Sequence, residues 1–515
     1  SIKKEDRVAG KADDILPYKA AQGTLFLLVS TILTSACGAV FFIFIARFFP
    51  SLSQVGLINA IQLLINMGVI LAGLGLTNAA TRFMSYYFGA EKQDIARDVS
   101  IVIFRIGLLS SVAISVLTYI FASSIASLLF HIAEYAQFIQ LASIDIFLLS
   151  MTSFSISILY SLHEFKKIAT VSISSALVKT GLSVILLIAG FGISGIIIGY
   201  IIGDTISLLA FTYILRTPIF KISQQRIMKT LLKYSFPLYG SSILTFLSTN
   251  IDYYIVLILS TLSIAGIYSI AVLIGTVLLM ILTSLEQTLL PFFSHLYGKT
   301  DIETLKNTSR VVSRYLLLIY LPLGFASFAS CPAIITGIFG ERYIESILPS
   351  MIIVLGITLT SIGTVFNNFL KSVGCTRIFF VSTLCAVSVQ LIISVFSIPV
   401  IGAIGASLAR SSAYAIMMII PAYRLKQISG LPYDKKALKI SLVGSLVVAL
   451  TVFTLNSILP NPYSLLVSLP AAFMSYLVML RLTRAMSSKD FEIIDIILSG
   501  KIKWPLMIIT KIVLQ

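Results

Sequence analysis

Six ionisable side chains fall inside long apolar runs of this 515-residue chain: Asp145, Lys179, Asp204, Asp252, Glu286 and Arg410. A charge in such a run is costly and by default marks a site rather than a packing choice. Two uses of these groups stay open. They could be internal ion pairs holding helices together, for example Asp145 or Asp204 with Lys179. They could instead line a water-filled cavity, where charge is tolerated and can meet an ion or a polar substrate. On the second reading Asp252, Glu286, Asp145 and Asp204 are candidates for taking up a coupling ion, either Na+ or H+. Asp252 has Asn250, Thr249, Ser248 and Ser241 on the same run. A carboxylate beside amide and hydroxyl oxygens has the donor set for Na+. Lys179 and Arg410 could hold a phosphate or an acidic sugar. Asn250 is a further polar contact, and Arg82, at a helix end, would meet a lipid headgroup first or serve as a plain interfacial anchor.

The elements that must position these groups are membrane helices. The chain is 57% hydrophobic and 11% charged, with a mean hydropathy of +1.00, more apolar surface than a water-soluble domain can bury. A window of about 20 residues predicts helices near 23–46, 57–80, 99–123, 137–161, 169–190, 195–215, 236–259, 265–290, 314–338, 346–369, 378–398, 402–423, 440–459 and 463–483. The expected fold class is all-α and polytopic, with about fourteen transmembrane helices. The first twenty residues alternate charges and lack the apolar core of a cleavable signal, so the N-terminus is expected inside. With that orientation, 33 of the 37 Lys and Arg residues fall on the inner side, as the positive-inside rule requires of cytoplasmic loops. Both termini are then cytoplasmic, and the net charge of +16 needs no nucleic-acid partner to explain it.

An internal repeat divides the chain. Leu52-Ser53-x-x-Gly56 recurs as Leu262-Ser263-x-x-Gly266, Ser85-x3-Gly89 as Ser294-x3-Gly298, Gly192-x-x-Gly195 as Gly402-x-x-Gly405, and Tyr213-x-Leu215-Arg216 as Tyr423-x-Leu425-Lys426, all at an offset of 209 to 210 residues. Each copy holds six helices and begins and ends on the same side, which predicts two pseudo-symmetric bundles of like orientation. The expected organisation is a cytoplasmic segment 1–22, an N-terminal lobe 23–216, an amphipathic linker 217–235 lying on the inner leaflet, a C-terminal lobe 236–426, two added helices in 427–486, and an amphipathic tail 487–515. The stretch from Phe236 to Gly298 opens the second lobe. Stepping back 210 residues from Asp252 and Glu286 gives Phe42 and Leu76, so these two carboxylates are an asymmetry on a symmetric frame.

Other chemistries find little support. Cys37, Cys331, Cys375 and Cys385 lack ligand spacing, and His131, His163 and His295 lie far apart, so no metal site is expected. There is no phosphate-binding Gly-x4-Gly-Lys-Ser/Thr loop, no cofactor is expected, and nothing points to an enzyme.

Ala46-Arg47-Phe48 with Gly56, Gly73-Leu74-Gly75-Leu76 with Ala79, Ala80 and Arg82, Phe236-Pro237-Leu238 with Asp252, Gly266-x-Tyr268-x-x-Ala271, Pro291 with Ser294, and Gly340 with Tyr343 together resemble the polysaccharide-export branch of the multidrug/oligosaccharidyl-lipid/polysaccharide (MOP) exporter superfamily. Fourteen helices resemble its lipid-linked oligosaccharide and lipid II flippases more than its drug exporters, which usually have twelve. The resemblance implies a cell-membrane flippase with two six-helix lobes, a V-shaped central cavity and alternating access. It would carry a polyprenyl-phosphate-linked glycan from the inner to the outer leaflet, powered by an ion gradient, with membrane lipids and glycan-assembly enzymes of the same pathway as partners. The first helix lacks the acidic residue and proline kink linked to cation coupling in drug exporters. A cation-coupled multidrug exporter and a non-transporting membrane scaffold remain as alternatives.

Overall fold

A computed structural model describes residues 26–215, 225–299, 302–428, 430, 434–459 and 463–485, apart from single positions within these ranges. The expected segments 1–22 and 487–515, and the first part of the linker, lie outside the described residues. Fifteen α-helices are seen: α1 (Val29–Phe48), then α2 (Leu52–Gly73), α3 (Leu76–Gly89), α4 (Gln93–Ile120), α5 (Ala122–Phe130), α6 (Ala136–Ser161), α7 (Phe165–Leu186), α8 (Gly192–Leu215), α9 (Gln225–Leu259), α10 (Leu262–Lys299), α11 (Ile302–Ile334), α12 (Ile347–Ser372), α13 (Arg377–Ile428), α14 (Lys435–Ile458) and α15 (Tyr463–Leu482). No strand occurs among the described residues. Helices are what a bilayer permits, because every backbone amide must be satisfied within its own segment.

Among the described residues twelve apolar segments are long enough to cross a membrane. Two of them, Phe165–Leu215 and Arg377–Ile428, run about 50 residues, too long for one crossing of about 20 residues. Each is broken at a glycine in a backbone conformation that a β-carbon disfavours: Gly192 at φ 56 and ψ −139, Gly402 at φ 54 and ψ −127. Past the second break the chain folds back, since a β-carbon on Gly405 would lie 2.7 Å from Ser397, eight residues away. Each long segment therefore supplies two crossings, and the described residues hold fourteen. The two glycines are the pair related by the repeat, and their nearly equal dihedrals show the repeat in the backbone itself.

The chain separates into two compact units, 1–249 and 250–515, with the division falling inside α9. In the first unit α6 is the hub, packed against α2, α3, α4 and α8. In the second, α12 has that role against α10, α11 and α13, and these hubs are the fourth span of their copies. The added helices α14 and α15 pack on each other and on α11, where Val448, Val452, Ala472, Tyr476 and Leu477 join Leu318 and Ala329 in one apolar cluster. Large side chains facing outward, such as Leu209, Ile185, Phe396 and Val400, form the surface that lipid covers.

One element differs from expectation. Residues 225–235, expected within a separate surface helix, are the first turns of α9, which continues through Pro237. They dock rather than float: Leu231 is buried and Tyr234 partly buried in a cluster with Leu76, Ala79, Ala80, Met84 and Phe104. Gly75, at φ 71 between α2 and α3, lets the backbone approach Ser235 and Tyr239 so closely that a β-carbon would clash with main-chain atoms.

The backbone account makes a direct prediction. Gly192→Ala and Gly402→Ala should each destabilise the purified protein by about 1–3 kcal/mol, the cost of holding a β-carbon in such a conformation. Gly38→Ala, where the added carbon meets nothing within 4 Å, should leave the melting temperature in detergent unchanged, as a thermal-shift series would read.

Candidate functional site

The candidate charges form two clusters, one in each unit. In the first, close packing of α8 on α7 sets the geometry. Gly195, Gly199 and Gly203 recur every four residues, and a β-carbon on Gly199 or Gly203 would collide with Ser183 or Lys179, the small-residue spacing that lets membrane helices approach. Lys179 Nζ consequently reaches Asp204 Oδ2 at 2.7 Å and lies 4.3 Å from the centre of the Tyr200 ring. Asp145, on α6, is fully buried and in electrostatic reach of both Lys179 and Asp204. Neither of its carboxylate oxygens finds a hydrogen-bond donor. Two carboxylates thus share one ammonium group.

This cluster adjoins a cavity of about 300 Å³, whose wall includes Phe41, Phe42, Asn59, Gln62, Lys179 and Tyr200. Phe41 and Tyr200 pack ring against ring at 6.1 Å between centroids. No carboxylate is among the lining residues, because Asp204 lies behind Lys179 and is itself buried. Aromatic walls with a few directed polar groups are the ordinary composition of a small-ligand site.

The second unit is arranged differently. Asp252 on α9 accepts two hydrogen bonds from Arg410 on α13, from Nε to Oδ2 at 2.6 Å and from Nη2 to Oδ1 at 2.8 Å. The Tyr268 hydroxyl on α10 donates to Asp252 Oδ2 and accepts from Arg410 Nε at 3.0 Å. Asp252 is fully buried and Arg410 8% exposed. A bidentate pair with a phenol bridging it satisfies both charges. Asp252 and Arg410, assigned by sequence to separate roles in ion uptake and substrate binding, are each other's partners.

The remaining candidates stand apart from both clusters. Asn250 is two positions from Asp252 and so projects from nearly the opposite side of α9. Ser248 and Thr249 turn their hydroxyls onto α9's own carbonyls. Glu286 lies half-buried on α10, in electrostatic reach of Lys371 on α12. Arg82, midway along α3, stacks 4.4 Å above the Tyr234 ring and lines an open cleft of about 730 Å³ with Phe83, Lys229, Thr230, Lys233 and Tyr234. Among the described residues no group of His, Cys, Asp and Glu could hold a metal ion.

Sequence reading passed over Asn59, Gln62 and Tyr200 in the first unit and Tyr268 as a charge partner in the second. The amides carried a signal: two of them three residues apart on one face of an apolar span are an expense that invites a question. Tyr200 sits one helical turn before Asp204. Tyr268 was legible only within the motif Gly266-x-Tyr268-x-x-Ala271.

Fourteen apolar crossings among the described residues, twelve in two repeated six-span units and two in the added helices α14 and α15, with polar groups in the interior of each unit, define a multi-pass membrane protein, and its fold is that of solved MOP transporters. The solved lipid II flippase MurJ, in an inward closed conformation, matches with a TM-score of 0.73 at 17% identity, over 89% of this chain and 98% of that one. An inward-facing multidrug resistance MATE family transporter of the MOP superfamily matches at 0.60 and 16% identity, over 79% and 99%. A MOP superfamily transporter from Pyrococcus furiosus, for which reverse polarity of the binding pocket suggests a different function, matches at 0.55 and 14% identity, over 78% and 95%. No curated protein matches by sequence. The family model described as "Polysaccharide biosynthesis protein" matches residues 44–348, more than half of the chain, and the chain belongs to that family.

The Asp252–Arg410 geometry predicts an asymmetric double-mutant cycle. Arg410→Leu leaves a buried carboxylate without its partner and should cost about 3–5 kcal/mol, whereas Asp252→Leu with Arg410→Leu should recover most of the loss. Thermal unfolding of the single and double variants in detergent measures both.

Proposed function

We propose that this protein moves a lipid-linked oligosaccharide, carried on a polyprenyl phosphate, from the inner to the outer leaflet of the cell membrane by alternating access of its two units, driven by a gradient of H+ or Na+. The observation that carries the reading is the cavity of the first unit. Its rings can stack on sugar faces, Asn59 and Gln62 can exchange hydrogen bonds with hydroxyls, and the Lys179 ammonium can hold a phosphate or an acidic sugar. Membership of a polysaccharide biosynthesis family supports a glycan as cargo. The inner-side excess of Lys and Arg supports cytoplasmic termini and hence uptake from the leaflet where lipid-linked glycans could be handed over by assembly enzymes.

The charge balance beside the cavity supports ion coupling. Two carboxylates and one ammonium leave a deficit of one positive charge in a medium where an uncompensated charge is expensive. A proton or a cation taken up at Asp145 closes that deficit, and its release reopens it. Coupling follows if cargo binding at Lys179 changes the partner available to Asp204. Asp252 and Arg410, by contrast, serve the second unit as a structural pair.

The second reading is a cation-coupled drug exporter, favoured by the likeness in fold to a MATE transporter. The cavity lining argues against it, since a cationic drug would meet Lys179 and no carboxylate. The deciding experiment uses proteoliposomes and a fluorescent lipid-linked oligosaccharide whose label is quenched from outside. The wild type should flip the glycolipid, and Lys179→Ala and Asn59→Ala/Gln62→Ala should each lower the rate by about tenfold or more, the effect of losing one charge-assisted or two neutral hydrogen bonds. Transport of cationic dyes with no movement of the glycolipid would replace this reading with the drug exporter, and movement of neither would replace it with a scaffold.

A further inference from the structure

Arg82 on α3 and Lys229 and Lys233 on α9 converge on the open cleft described above, and none of the lining residues is a carboxylate. Among the described residues these three cations take part in no ion pair. Lys229 and Lys233 are one helical turn apart, a spacing at which like charges repel. The convergence is built by packing: Leu231, between them, is buried, Gly75 admits the backbone of α9 at Ser235, and Tyr234 holds the Arg82 guanidinium by its face. A guanidinium stacked on a ring keeps its N–H edge free for an oxyanion. The repeat does not require the arginine, because the position 210 residues later is Phe292.

What borders the cleft indicates how its ligand arrives. Met228, Leu232 and Phe236 follow one another at one-turn spacing on the neighbouring face of α9 and are all exposed, Phe236 to 76%. Tyr86, on the last turn of α3, is 68% exposed. An apolar stripe of this kind faces acyl chains, with the cations beside it at headgroup level. A small soluble anion would need no such border.

We propose that Arg82, Lys229 and Lys233 form a docking cleft for the diphosphate of a lipid-linked glycan carrier, taken up from the leaflet before the glycan enters the transport cavity. Three unneutralised cations match the two or more negative charges of a diphosphate better than the single charge of a phospholipid headgroup. Arg82 supplies a fork of parallel N–H donors and the two lysines supply point charges. This rests on the glycolipid reading above but concerns binding, which can be measured apart from transport.

The experiment uses the full-length protein in nanodiscs of neutral phosphatidylcholine and measures binding of a polyprenyl diphosphate, with the matching polyprenol, inorganic pyrophosphate and phosphatidylglycerol as competitors. The wild type should bind the polyprenyl diphosphate, with affinity falling as salt is raised. Arg82→Gln and Lys229→Gln/Lys233→Gln should each weaken binding by about tenfold or more, the loss of a charge-assisted contact. Lys166→Gln/Lys167→Gln, a cationic pair away from the cleft, should not. The variants alter exposed side chains, and unchanged melting temperatures would establish that they fold. Affinity unchanged in the cleft variants overturns the proposal while glycolipid flipping can still stand. Competition by polyprenol as strong as by the diphosphate, or by pyrophosphate or phosphatidylglycerol at equal concentration, overturns it as well by removing the diphosphate or the lipid from what the cleft recognises.

Discussion

A charge in the hydrocarbon core has no water to compensate it, so it must be matched by another charge or by hydrogen bonds from the protein. The interior of each unit is arranged around that requirement. In the second unit Asp252 and Arg410 meet it completely: Arg410 gives Asp252 two hydrogen bonds and the Tyr268 hydroxyl joins the pair. In the first it is met in part, with Lys179 on Asp204 and Asp145 buried without a donor. The same physical demand therefore yields a closed pair in one unit and an unbalanced trio in the other.

The repeat shows that the closed pair of the second unit and the cavity wall of the first occupy corresponding places. Subtracting 210 residues from Asp252, Tyr268 and Arg410 gives Phe42, Ile58 and Tyr200, and all three of those line the cavity of the first unit. Where one copy of the ancestral bundle has a salt bridge with a phenol across it, the other has apolar and aromatic wall around open volume. Tyr414, in electrostatic reach of Arg410, corresponds in the same way to Asp204. The repeated frame thus holds a closed ion pair in one copy and a cavity in the other, and small-residue packing at Gly195, Gly199 and Gly203 brings the helices of the cavity copy together.

Much of the frame could be read from the residues alone. Hydropathy located fourteen crossings, and the recurrence of Gly192-x-x-Gly195 as Gly402-x-x-Gly405 marked the two turns that fold the longest helical segments in half. Depth along a helix follows from its rise per residue, so the six interior charges were recognisable as a set. Their partners were not. Asp252 and Arg410 are separated by 158 positions, and pairing across that distance depends on the rotation of helices about their axes, which apolar spans with little sequence asymmetry do not encode. For the same reason Lys179 could be paired with either Asp145 or Asp204 until the approach of α8 to α7 selected Asp204. Lys229 and Lys233 fell within the expected linker 217–235, because their convergence with Arg82 depends on α9 running unbroken through Pro237, where the hydropathy pattern begins a new helix at 236.

The central claim is that the unbalanced cluster of the first unit responds to the ion gradient and the satisfied pair of the second does not. The most direct measurement compares glycolipid flipping in proteoliposomes with and without an imposed pH or Na+ gradient, for Asp145→Asn and for the double replacement Asp252→Leu/Arg410→Leu. The account predicts that Asp145→Asn flips at one rate whether or not a gradient is present, while the double replacement, if folded, keeps the gradient response of the wild type. A gradient response that survives in Asp145→Asn and vanishes in the double replacement would contradict it.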